Sequence, residues 1–169
     1  MDEKSFPLKL LQFEGAGDDF SRSEDFQHPI VQSAGELFVF CKDGTVNGTE
    51  VVGVSMNTIK TAVEFWIRNG KDIGSIFSFG GIEKEADVKF LIEVFKKQKN
   101  AKTEHVLMLE SSILPDTIII PLETDSEVMI WCIDPDEKLQ DDTWQMIIFF
   151  TAKDHYTMWN ICFDYDVFE

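Results

Sequence analysis

Three apolar runs near the C-terminal end constrain the fold most: "SEVMIWCI", "TWQMIIFFT" and "TMWNICFDYDVF". The last alternates cleanly. Trp159, Ile161, Phe163, Tyr165 and Val167 fall on one side, and Asn160, Cys162, Asp164 and Asp166 on the other. That is the two-residue period of a strand. The three runs predict a C-terminal three-stranded meander, a core into which any helices must pack.

Upstream the period changes. Ile59, Ala62, Val63, Trp66 and Ile67 recur at helical spacing, with Asn57 as the expected N-cap and Gly70 as the expected left-handed residue after the end. A second helix is predicted from about Lys84 to Lys99. Its stripe is Val88, Leu91, Ile92 and Phe95, widened by Phe90 and Val94. Lys96, Lys97 and Lys99 in its last turn suit the helix dipole. "FPLKLLQF", "ELFVFCK" and "GSIFSFGG" read as strands. In "ELFVFCK" Leu37, Val39 and Cys41 face one way and Phe38 and Phe40 the other, so both of its sides are expected to be covered. The turn signals Asp43-Gly44 and Asn47-Gly48 predict a hairpin joining that strand to "TEVVGVS". "HVLMLES" and "TIIIPL" are further apolar runs that read as β, with Pro115 and Asp116 between them. The segment "EGAGDDFSRSEDFQHP" reads as a loop that Phe20 and Phe26 pin to the body. The expected fold class is α+β: one domain over residues 1–169, a mainly antiparallel sheet with two helices packed on it.

Charge carries the functional reading. The chain has a net charge of −16, unevenly spread. Residues 123–169 hold 12 acids and 2 bases, net −10. Five of the nine residues from Asp134 to Asp142 are acids: Asp134, Asp136, Glu137, Asp141 and Asp142. A turn needs no such concentration of like charge. Nucleic acid and anionic membrane surfaces are disfavoured as ligands, because binding phosphates requires positive charge. A basic protein is favoured, because a clustered negative field speeds its approach. Trp131 and Trp144 flank the acidic loop, and an indole beside carboxylates suits a partner's Arg or Lys. Asp164 and Asp166 add to the same face by sequence. Core packing is the competing reading for the tryptophans.

Other chemistry finds little support. The start Asp134-x-Asp136 resembles a calcium loop, but Lys138 holds a ligand position, Leu139 stands where Gly is needed and Gln145 replaces the final Glu. Cys41, Cys132 and Cys162 have no CxxC spacing and sit in apolar runs, which predicts buried free thiols. His28, His105 and His155 are the only histidines. No phosphate loop, nucleophile elbow or zinc-protease motif is present. No cofactor, metal or catalytic residue is therefore expected. The first residues lack the charged start and apolar stretch of a signal peptide, which predicts a cytoplasmic protein.

In type, the whole chain resembles the bacterial toxin-immunity proteins, among them those of contact-dependent growth inhibition. The resemblance rests on "IDPDEKLQDD", on the carboxylates of "NICFDYDVFE" and on the lack of an enzyme signature. It implies a protein that binds a cognate, basic nuclease toxin in the cytoplasm and blocks its site, with no direct nucleic-acid or membrane ligand. Two alternatives stay open. One is an acidic mimic of nucleic acid that blocks another DNA- or RNA-binding protein. The other is a small enzyme or ligand-binding domain, which requires a pocket with converging polar groups.

Overall fold

The computed structural model describes residues 10–13, 25–41, 44–46, 49–51, 54–107, 113–123, 125–135 and 143–153. Nine strands and three α-helices lie among them: β1 (Leu10–Phe13), α1 (Pro29–Ser33), β2 (Glu36–Phe40), β3 (Gly44–Val46), β4 (Thr49–Val51), α2 (Met56–Asn69), β5 (Ile76–Ile82), α3 (Glu85–Lys96), β6 (Lys102–Leu107), β7 (Ile113–Pro121), β8 (Ser126–Ile133) and β9 (Trp144–Ala152). Seven strands form one sheet in the order β1-β2-β5-β9-β8-β7-β6. The pairs β1–β2 and β2–β5 are parallel. The remaining pairs, from β5–β9 outward to β7–β6, are antiparallel. The fold is α+β with a mostly antiparallel sheet, as the patterning predicts.

The helices cover one face. Ile59, Ala62, Val63 and Trp66 of α2 and Val88, Leu91 and Phe95 of α3 are buried, the stripes that helical spacing picked out. They join Leu37, Val39, Phe77, Phe79, Ile118, Ile120, Val128, Ile130, Met146, Ile148 and Phe150 in the main core. The Trp66 indole stacks on Phe77 at 4.2 Å and 20°, and Phe26 meets it edge-on at 5.9 Å. These are the offset and T-shaped arrangements that the ring quadrupole favours. Phe26 therefore does pin its segment, while Phe20 lies outside the described residues. Lys71 adds a second tie: its ammonium donates to the Gln32 carbonyl oxygen and lies 5.2 Å from the Phe77 ring centre. Burial lowers the Lys71 pKa, with Asp72 opposing that shift.

Several local expectations need correction. Ser55, not Asn57, caps α2: its hydroxyl accepts from the Thr58 N–H at 3.2 Å, from an extended backbone that only a residue outside the helix adopts. Gly70 ends the helix with φ +76°, and its N–H donates to the Trp66 carbonyl. Phe90 does not widen the α3 stripe but is 43% exposed, one step around the helix from the buried Leu91. β2 does not form a hairpin with the run after it. The strands that flank Asn47-Gly48 pair with each other in a separate two-stranded sheet, and β2 lies between β1 and β5. A tight turn satisfies only its immediate neighbours, while β2 pairs with strands far away in sequence.

Pro115 and Asp116 do not lie outside the strands. Both residues lie inside β7, at a register shift where Glu104 faces Thr117 and Val106 faces Leu114. One extra residue on β7 makes this a bulge. Asp116 there has φ +52°, a region that Asp tolerates better than most residues. Proline, which donates no hydrogen bond, is at home at such a bulge. Finally, the strands consecutive in the chain from β6 to β9 form an antiparallel run of four. The third run of the expected meander, with Trp159 through Val167, lies outside the described residues.

The opposite sheet face has its own cluster of Ile119, Met129, Trp131, Ile147 and Phe149. Both faces of the central strands are thus buried, which explains why β8 and β9 read as near-continuous apolar runs.

Candidate partner-binding surface

Strand directions gather one set of termini at a single end of the sheet. β8 ends at Ile133 and β9 begins at Trp144, so the chain leaves and re-enters the sheet there. β5 reaches the same end, because Ile82 pairs with Trp144. β7 runs antiparallel to β8, so its N-terminal half lies there too.

Asp134 is exposed just past β8, with Pro135 half-buried beside it. Asp136, Glu137, Asp141, Asp142, Asp164 and Asp166 lie outside the described residues. Two carboxylates that linear charge counting missed share this end. Glu83 follows β5 directly and is exposed, and Asp116 is exposed at the β7 bulge. Their placement depends on strand order, which no local pattern reveals.

The two tryptophans do not form one platform. Trp131 is 1% exposed, packed in the second cluster, and its buried Nε1 has no hydrogen-bond partner among the described residues. It is a core residue, and its expected role as a surface contact is corrected accordingly. Trp144 is half-buried and packs against the main core on the helix-covered face. Next to it, Gln145 Nε2 donates to Ser78 Oγ at 2.5 Å and ties β9 to β5.

The acids of residues 123–169 do not all serve a surface. Glu127 is 2% exposed and faces Thr151 across β8–β9. Glu123 and Asp125 are exposed at the turn between β7 and β8, the end of β8 remote from Asp134. An eight-residue strand, about 27 Å long, separates the two groups.

Cys41 and Cys132 are poorly suited to nucleophilic work. Burial pushes the Cys41 thiol up to about 12. Burial also pushes Cys132 up to about 12, assisted by the negative charge of Asp134. A nucleophilic cysteine needs the opposite, a depressed pKa and a populated thiolate. Cys162 and His155 lie outside the described residues. His28 serves the fold, since its Nδ1 accepts from the Ile30 N–H at 3.3 Å and caps α1. His105 is exposed on β6. Among the described residues, no three His, Cys, Asp or Glu side chains gather as a metal site would require. Among the same residues, no helix is long and apolar enough to cross a membrane.

Residues 1–83 match a domain of unknown function, DUF3557. The match covers less than half of the chain. It takes in the parallel strands β1, β2 and β5 together with α2, and it ends just after β5. The antiparallel strands β6 to β9 and the acidic end of the sequence lie beyond it. No curated protein and no solved structure matches this chain.

Proposed function

We propose that this chain is a binding protein for a basic protein domain, and that the partner is a cognate nuclease toxin held inactive in the cytoplasm. The observation that carries the reading is the segregation of charge. Residues 54–107, which include both long helices, hold 7 acids and 9 bases, net +2, against −10 for residues 123–169. The sheet end where Asp134, Glu83 and Asp116 are exposed is also where the acid-rich segment after β8 begins.

The physical logic is electrostatic. A nuclease must present Arg and Lys to phosphates, and a carboxylate-rich surface is complementary to the same groups. Long-range fields from several carboxylates add, so the main effect is faster association, by roughly one to three orders of magnitude at low salt. The spacing of the described acids favours this over mimicry of nucleic acid. A mimic needs carboxylates in a continuous stripe, whereas Glu123 and Asp125 are separated from Asp134 by the length of β8, and Glu127 between them is buried. The raised thiol pKa values weigh against Cys41 or Cys132 as a nucleophile.

The test begins with the reading frame beside this one. The proposal expects it to encode a basic toxin domain that the chain binds and inhibits in a purified nuclease assay. A neighbouring product that is not basic, or a basic one whose activity is untouched by excess chain, contradicts the reading.

A further inference from the structure

β6 is the last strand of the sheet among the described residues, and its residues 102–105 are all exposed. A sheet edge offers backbone donors and acceptors to any strand of matching register. We infer that β6 is a self-association edge, at which two copies of this chain pair antiparallel about a two-fold axis through Thr103. This inference is independent of the toxin reading above.

Charge and parity single out that register. Along a strand, only alternate residues direct their N–H and C=O to any one edge. Two copies related by a two-fold axis must therefore pair with a residue at the centre, facing its own counterpart. Centring on Lys102 opposes two ammonium groups, and centring on Glu104 opposes two carboxylates. Centring on His105 opposes two imidazoles and aligns no opposite charges. Centring on Thr103 sets Lys102 of each copy against Glu104 of the other.

The side chains are already arranged for this. Lys102 pairs with Ile119 and Glu104 with Thr117 across β6–β7, so both stand on the same sheet face. Lys102 Nζ lies 2.8 Å from Glu104 Oε1, with the two side chains 49% and 43% exposed. Pairing about Thr103 extends this couple into a ring of four alternating charges on one face, with Thr103 against Thr103 on the other. β6 carries no extra residue at the bulge, because the insertion is on β7, so its alternation is unbroken. The net charge of −16 on each copy opposes association. β6 itself belongs to residues 54–107, whose net charge is +2.

Charge reversal tests the register. Sedimentation equilibrium of the whole chain, up to about 0.5 mM to reach an interface smaller than the standard ~1,600 Å², should show wild-type mass rising from monomer toward dimer. K102E alone places four carboxylates in the ring and should remain monomeric. E104K alone places four ammonium groups there and should also remain monomeric. An equal mixture of the two sets carboxylates against ammonium groups across the strands of a heterodimer and should recover the wild-type rise, as should the double variant K102E/E104K, which restores the alternation. Both substituted positions are exposed, and circular dichroism confirms that each variant is folded. A wild type that stays at monomer mass overturns the proposal. So does a mixture that stays monomeric, or a single variant that associates as well as wild type.

Discussion

Trp131 and Trp144 stand on neighbouring strands and face opposite sides of the sheet. Trp131 pairs with Ile147 and packs with Ile119, Met129 and Phe149. Trp144 shares its face with Met146, Ile148 and Phe150, under the helices. The β8–β9 register decides this. Each residue shares a face with its cross-strand partner, and the register pairs odd-numbered residues with odd-numbered ones. Shifting it by one residue would have set both indoles on one surface.

Trp131→Ala should therefore act as a core deletion and cost about 3–5 kcal/mol, while the half-buried Trp144→Ala costs roughly half as much. Urea melts check the order. A Trp131 variant of unchanged stability would place that indole back on the surface.

Trp66→Ala should cost a similar ~3–5 kcal/mol, because the indole is fully buried and joins α2 to β5 through Phe77. An unchanged denaturation midpoint would contradict the packing of α2 on the sheet.

At the start of α2, Ser55→Ala should cost about 1 kcal/mol through the lost cap, and Asn57→Ala should cost far less. The reverse order would favour Asn57 as the cap.

How much of the fold was legible in the sequence depended on the range of the interaction. Ile59 to Trp66 and Val88 to Phe95 were readable because helical hydrogen bonds are local and one face is buried. The placement of β2 between β1 and β5 was not, because its partners lie far along the chain and the glycine turns after it mark only a small separate hairpin. Pro115 and Asp116 interrupt an apolar run, and nothing local tells a gap between strands from a bulge within one. At the candidate surface, Asp134 was visible as part of a charge run. Glu83 and Asp116 were not, since only the strand order brings them to the same end. Glu127 was counted with the acids although it is buried, because a charge count is blind to the direction of a side chain.

The thiols give a pH prediction. Folding raises Cys41 and Cys132 to about 12 from 9.0. Above pH 9 the unfolded chain releases those protons first, so the unfolded state binds fewer protons and stability falls with rising pH. The slope approaches ~1.4 kcal/mol per pH unit for each thiol, until the folded pKa is reached. Below pH 9 the two thiols contribute no slope. Alkylation at pH 8 should likewise be slow for both thiols in the native chain and complete in denaturant. Rapid native labelling at either site would contradict the burial.

Long-range capture of a basic partner by the acidic end of the sheet is best tested by stopped-flow association. The partner is the basic toxin domain expected beside the chain, and the rates are measured at two ionic strengths. Wild type is compared with a variant in which Asp134, Asp136, Glu137, Asp141 and Asp142 are changed to Asn or Gln. The variant should associate at least tenfold more slowly at low salt, with a flattened salt dependence and little change in dissociation. Equal association rates for the two proteins at both ionic strengths would contradict electrostatic capture by the acids from Asp134 to Asp142.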